Sequence, residues 1–171
     1  MQELKYLAGY SEDLCHQVQG LISKNTLAKL LLEKYPSAHE IHTDRALYDY
    51  VMAIKHDYMQ KSQPLSKVIF DPKIQMKHQA LGLHKFVSRV QGKKLKAKNE
   101  ICIASTFKKA PEPFLRMIVI HELAHLKEKD HNKAFFKLCT FMEPAYHQLE
   151  FDMRLYLTQL DLFGPLYRPS L

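Results

Sequence analysis

Two histidines four positions apart, in the segment His121-Glu122-Leu123-Ala124-His125, constrain this chain more than any other feature. Phe114, Met117 and Ile118 precede them at the spacing of an apolar helix face. Residues four apart project from the same side of a helix, about one turn apart, so both imidazoles can bind one metal ion. Glu122 lies beside that pair and can reach a water on the metal without binding the metal itself. The segment therefore predicts a helix that carries an H-E-x-x-H metal site.

A catalytic zinc site of this kind needs a third protein ligand and leaves its fourth position open to water. His131 lies six positions after His125, beyond a predicted turn, and is the leading candidate for the third ligand of one Zn²⁺ ion. Glu143, before Pro144, and Glu150, on the last predicted helix, are the alternatives. In this hypothesis the metal acidifies a water and Glu122 acts as the general base. So short a motif also arises by chance in a chain with ten histidines, which leaves ordinary hydrogen-bonded histidines as the alternative.

Several other polar side chains are candidates for supporting roles at this site. Three of them lie on the last predicted helix and could stabilise an oxyanion, although each could equally be structural: Tyr146, His147 and Arg154. Glu128 and Asp130, in the turn after the motif, could orient a ligand imidazole through its second nitrogen.

The apolar periodicity predicts an α+β fold. Helices are expected after Ser11, after Asn25 or Thr26, and after Thr43 or Asp44, then through the motif, over 133–142 and over about 145–160. β-branched and aromatic segments at 67–70, 84–90 and 100–105 predict about three strands. Because consecutive strands with short connections usually pair side by side, we expect a small, mostly antiparallel sheet. Residues 1–63 are predicted to be an N-terminal helical extension packed on a catalytic domain of residues 64–171, in one compact unit.

The charge and the apolar content indicate where the protein acts and what it contacts. A net charge of +7 favours acidic partners. The densest cationic cluster is a candidate contact for nucleic acid or a nucleotide, or else a solvated hairpin tip: Lys93, Lys94, Lys96 and Lys98. Three separated cysteines form no disulfide framework, and no apolar run approaches the ~20 residues that span a bilayer. We therefore expect a cytoplasmic protein that does not enter a membrane.

The stretch from Ile118 to Phe136 resembles the YgjP-like metallopeptidases, which are relatives of the SprT-like minimal zinc proteases. It shares the pattern HELxHL, the five-residue gap between the second and third histidines, and an Ala-Phe-aromatic step at 134–136. The resemblance covers about residues 65–162. It implies a zincin-like minimal core with an active-site helix and two C-terminal helices, His121, His125 and His131 as zinc ligands, and Glu122 as the general base.

The chain departs from that family at one segment. Family members commonly carry an Arg-Trp-Gly-Ser-Cys-Ser-like stretch before the strand that precedes the active-site helix. Here residues 88–94 read Ser-Arg-Val-Gln-Gly-Lys-Lys, and the chain contains no tryptophan. The contribution of that segment to substrate selection is therefore not carried over to this chain.

Three functions are compatible with these observations. The leading hypothesis is a zinc-dependent metallopeptidase that acts on proteins or peptides and pairs them with the strand at 100–105, if that strand lies at the sheet edge. The first alternative is a zinc-dependent nucleotide phosphoanhydride hydrolase, in which the lysine cluster holds the phosphates. The second alternative is a non-catalytic domain in which zinc is structural and the basic face binds nucleic acid.

Overall fold

The structure is a computed structural model that describes residues 4–74, 82–91 and 94–168, and only the backbone for 82–91 and 94–98. Six α-helices and three strands lie within it. In chain order they are α1 (Glu12–Ser23), α2 (Leu27–Lys34), α3 (Asp44–Tyr58), β1 (Leu65–Asp71), β2 (Gly82–Gln91), β3 (Lys94–Ala104), α4 (Glu112–Ala124), α5 (Lys133–Met142) and α6 (Tyr146–Phe163). No helix in these ranges has the length and apolarity needed to cross a membrane.

The sheet differs from the prediction. Its strand order is β1-β3-β2, and β1 pairs parallel to β3 while β2 pairs antiparallel to β3. The prediction of a mostly antiparallel sheet is therefore wrong. It assumed that consecutive strands pair, but the 22 residues between β1 and β3 include β2 and provide the long connection that a parallel pair requires. The four successive buried residues Ile101–Ala104 are typical of a strand covered on both faces.

The position of β3 changes two further expectations. In the described part of the chain β3 is paired on both sides, so it is not the edge strand with which an extended peptide could pair. Lys94, Lys96 and Lys98 lie within β3 rather than in a turn. Lys93 lies outside the described residues, as do the side chains of the other three lysines.

The N-terminal helices begin where the sequence predicted. Ser11 Oγ accepts a hydrogen bond from the Leu14 amide at 3.3 Å, and Thr43 Oγ1 accepts one from the Ala46 amide at 3.1 Å. Each cap satisfies one of the amides that a helix leaves unpaired at its start. Buried apolar side chains from both sides of the predicted boundary at residues 63 and 64 belong to one hydrophobic cluster. How the chain divides into domains stays a prediction.

Helix α4 runs through the centre of the protein. Its nine buried residues lie on all sides of the helix, as is typical of a helix enclosed by other elements. Pro111 forms its N-cap, and α3, α5, α6 and the sheet surround it. This burial fixes α4 in place, and the motif lies at its C-terminal end, where the helix meets the surface.

Candidate metal centre

Three histidines from consecutive segments meet at the end of α4. His121 lies in its last turn, His125 is its C-cap, and His131 lies in the loop before α5. The three ring centroids are 5.0 Å apart for His121 and His125, 4.8 Å for His121 and His131, and 4.9 Å for His125 and His131. The loop thus brings the third predicted ligand back to the two on the helix, in a nearly equilateral arrangement.

The nitrogen positions fit a single small cation. One ligand nitrogen from each histidine lies within 4.8 Å of the other two, and Nε2 of His125 is 3.0 Å from Nε2 of His131. Two nitrogens bound to a tetrahedral zinc ion at 2.0–2.1 Å would be roughly 3.3 Å apart. In the described part of the chain this triad is the group of histidine, cysteine and acidic residues with metal-binding spacing.

The hydrogen bond of His125 orients its ring for metal binding. Its Nδ1 lies 2.9 Å from the backbone carbonyl oxygen of Glu128. Because a carbonyl can only accept, Nδ1 carries the proton and Nε2 keeps the lone pair that a metal needs. Glu128 therefore contacts the candidate ligand imidazole through its backbone carbonyl, whereas the prediction considered its carboxylate.

His121 is oriented from α6. Its Nδ1 lies 2.8 Å from the hydroxyl oxygen of Tyr146, which also hydrogen-bonds to the Cys139 thiol. If the hydroxyl donates to the sulfur, its oxygen accepts from Nδ1–H and leaves Nε2 of His121 facing the other two rings. Burial, together with the charges of His125 and His131, lowers the pKa of His121 to about 3. A neutral imidazole is the form that binds metal.

An aromatic residue that the sequence reasoning did not assign to the site supports all three rings. The Phe135 ring centroid lies 4.9 Å from that of His121, 4.6 Å from that of His125 and 4.8 Å from that of His131. Phe135 is fully buried, so it excludes water from the protein side of the triad. The Ala-Phe-aromatic step at 134–136 was the available signal, but a sequence pattern does not show which side chain contacts the histidines.

Glu122 is the unusual residue of the site. Its side chain is 2% exposed, and within the described residues its Oε2 has no hydrogen-bond partner. This burial raises the pKa of the carboxyl to about 8. A buried carboxylate oxygen without a partner indicates a missing water or ion, and a nearby cation would favour the ionised form. The donor set, the fixed tautomers and this oxygen together fit a divalent metal with a reactive water.

The other candidate residues serve different contacts. Glu143 forms an ion pair with Arg116 at 3.9 Å, and Glu150 forms one with Arg154 at 3.3 Å, so both alternative third ligands bind arginines instead. Arg154 also donates to the backbone carbonyl of Tyr6 at 3.0 Å. His147 packs against Phe136 and Tyr146. Exposed Asp130 is not among the metal-binding group.

Comparison with known proteins gives two matches. The model of a family described as "YgjP-like, metallopeptidase domain" matches residues 68–155. A protein of Escherichia coli (strain K12) named "UTP pyrophosphatase" is 57% identical to this chain over 162 residues, which are 95% of this chain and 97% of the relative. No solved structure matches the chain significantly.

Proposed function

The chain belongs to the family of YgjP-like metallopeptidase domains, and we propose that it hydrolyses a nucleoside triphosphate at a zinc site. The family and the relative identify it as a metal-dependent hydrolase. The finer proposal is that the substrate is UTP and the products are UMP and pyrophosphate. The observation that carries it is the near-complete alignment with the Escherichia coli UTP pyrophosphatase. This proposal reverses the order of the hypotheses, since the sequence alone favoured a peptidase.

The proposed chemistry needs the triad and Glu122 together. A zinc ion held by His121, His125 and His131 would supply a Lewis acid that acidifies water and stabilises negative charge on phosphate oxygens. Glu122 takes a proton from the attacking water and passes it to the leaving pyrophosphate. The new bond joins the water oxygen to the α-phosphorus, and the bond between that phosphorus and the αβ-bridging oxygen breaks.

The charge of the protein supports a polyanionic substrate. The net charge of +7 attracts anions, and Arg154 lies close enough to the triad for its charge to lower the pKa of His121. The cluster of Lys93, Lys94, Lys96 and Lys98 remains a proposed phosphate contact. A peptide would gain less from these charges than a triphosphate.

A peptidase is the second candidate. The description of the matched family favours it, and so does the H-E-x-x-H arrangement, because the same triad and base can direct water at a peptide carbonyl. The peptide would need a binding surface other than β3, which is paired on both sides within the described residues.

The test compares both substrate classes with the same zinc-loaded protein. UTP, CTP, ATP and GTP are incubated separately, and the products are resolved by anion-exchange chromatography. Unfolded casein is the peptidase substrate. We expect UMP and pyrophosphate from UTP, with one ¹⁸O atom from labelled water in UMP and none in pyrophosphate. UDP with inorganic phosphate, or cleavage of casein without cleavage of UTP, would contradict the proposal.

Variants test the assigned roles. Glu122→Gln keeps the size of the side chain but removes the base, so we expect turnover to fall by about 10²- to 10⁴-fold while zinc stays bound. His125→Ala should lose zinc and turnover together. His56→Ala, at an exposed histidine of α3, is the matched control and should keep both. Full turnover in Glu122→Gln would remove Glu122 from the mechanism.

A further inference from the structure

A cavity of about 1060 Å³ lies near the N-terminal end of α4, whereas the triad lies at its C-terminal end. Lys108 and Lys109, which line it, immediately precede α4, whereas His121 and His125 lie at the C-terminal end of that helix. At 1.5 Å per residue, the nine steps from Glu112 to His121 along α4 correspond to about 14 Å, and Lys108 and Lys109 lie beyond that N-terminal end. The cavity and the metal centre are therefore separate places on the molecule.

The cavity carries an excess of positive charge. Three cationic side chains line it, Lys108, Lys109 and Arg168, against one carboxylate, that of Glu40. Among the ion pairs of the described residues, none involves any of these three cations. Lys108 Nζ instead lies 5.4 Å from the centroid of the Phe70 ring. A concave surface with uncompensated cations attracts and concentrates anions.

Part of the cavity lining is apolar and held in place. Leu166 and Tyr167, from the chain after α6, form part of it. The Tyr167 hydroxyl donates to the backbone carbonyl of Tyr35 at 2.6 Å, which fixes this segment beside the end of α2 and holds neighbouring Arg168 at the cavity. Cations beside an aromatic and aliphatic wall are the combination that a nucleotide requires, since its phosphate is anionic and its base is flat and apolar on both faces.

The buried histidine of the cavity is rigid. His39 Nε2 donates to the Phe107 carbonyl at 2.6 Å, and His39 Nδ1 accepts from the Ile41 amide at 2.9 Å. The His39 amide also donates to the Ala110 carbonyl at 3.0 Å. These bonds join the segment between α2 and α3 to the residues that precede α4, so the cavity is formed before any ligand binds.

We propose that this cavity is a second, non-catalytic site for a small nucleotide. Its phosphate is bound by Lys108, Lys109 and Arg168, and its base packs against Leu166 and Tyr167. Inorganic phosphate shares the anionic half of this chemistry. The proposal does not depend on which bond the metal centre hydrolyses, because it concerns binding at a separate place.

The absence of tryptophan from the chain provides a specific reporter. Leu166→Trp places a single indole in the wall of the cavity, and its emission is followed in zinc-loaded protein during titration with UMP and with inorganic phosphate. We expect a saturable change with UMP. Lys109→Ala and Arg168→Ala in the same background should each weaken UMP binding about tenfold, as expected for losing a hydrogen bond to a charged group. Lys61→Ala, at an exposed lysine elsewhere, should not.

If Leu166→Trp does not fold, UMP binding is measured by calorimetry on the chain without that substitution, alone and with Lys109→Ala or Arg168→Ala. Weaker UMP binding in Lys109→Ala and Arg168→Ala supports the proposal, and a phosphate response with the same dependence supports its anionic half. No saturable UMP binding overturns the proposal, and so does UMP binding that both variants retain. Binding of single-stranded oligonucleotides without UMP binding also overturns it. UTP hydrolysis by Lys109→Ala and Arg168→Ala is expected to be unchanged, so failure here is distinguishable from failure of the proposed reaction.

Discussion

Replacing Tyr146 by Phe should weaken zinc binding without removing a ligand. In the metal-bound protein, Nε2 of His121 faces the metal, so the ring proton must lie on Nδ1, where the Tyr146 hydroxyl accepts it at 2.8 Å. The metal-free ring can move that proton to Nε2, so the loss of the hydroxyl disfavours mainly the metal-bound state. Leaving a buried N–H without an acceptor costs about 1–3 kcal/mol, which corresponds to roughly 5- to 150-fold in affinity. Mutations of such partners typically cost about 10- to 100-fold, in agreement with that estimate.

The assay is competition for zinc with a chromophoric chelator, with urea unfolding of the metal-free protein measured alongside. Tyr156→Phe is the matched control, since Tyr156 is also a buried tyrosine of α6 and its hydroxyl makes one long hydrogen bond, 3.4 Å to the Lys109 carbonyl. We expect Tyr146→Phe to weaken zinc binding by about 5- to 150-fold and Tyr156→Phe to leave it unchanged. Equal zinc affinity in the two variants would refute the argument that the Tyr146 hydroxyl orients His121.

Three further perturbations give expected outcomes. Asp152→Ala removes a buried carboxylate that accepts from Tyr35 and Gln148 at 2.6 and 2.9 Å, so urea unfolding should show a loss of about 2 kcal/mol. Asp161→Ala, which breaks the exposed ion pair with Lys5, should lower the free energy of unfolding much less. Burial lowers the pKa of His39, so the unfolded chain binds a proton that the folded chain excludes, and stability should fall as pH drops below about 6.5, less steeply in His39→Gln. Zinc at 100 times its dissociation constant should raise the unfolding free energy by about 2.7 kcal/mol, and a chelator should reverse this.

The proximity of the three candidate metal ligands was predictable from the sequence because their geometry is local. His121 and His125 lie one turn apart on a helix, and only five residues separate His131 from His125. The residues that orient these ligands were less accessible. Tyr146 was a candidate for an oxyanion contact, but its bond to His121 joins two helices 25 residues apart in sequence. The contact from Glu128 comes from a backbone carbonyl, which side-chain identity cannot indicate.

The helices and the sheet show the same distinction between local and long-range information. The α5 helix occupies the predicted residues 133–142, because Asn132 caps it locally and Pro144 follows its end. Strand pairing is instead decided between distant segments. The sequence left open whether the strand at 100–105 lies at the edge or in the interior of the sheet, and sequential order suggested antiparallel neighbours. The parallel partner β1 lies more than 20 residues earlier in the chain, so its pairing with β3 depends on long-range packing that the order of the strands does not indicate.

The H-E-x-x-H site activates a water molecule, but it does not determine which bond that water attacks. Such a site can therefore belong to a nucleotide hydrolase. The triad and Glu122 prepare a water, and this preparation is the same for a carbonyl carbon and for an α-phosphorus. The choice between the two lies in the surface that holds the substrate. A peptide needs an available strand edge or an apolar groove, whereas a triphosphate needs several cations that can remain unpaired until it binds. In the described residues β3 is paired on both sides, but β1 and β2 are the outer strands of the sheet, so strand pairing does not decide between the two substrates. The protein carries seven more basic than acidic side chains, and this excess of positive charge supports the proposed phosphoanhydride substrate over a peptide.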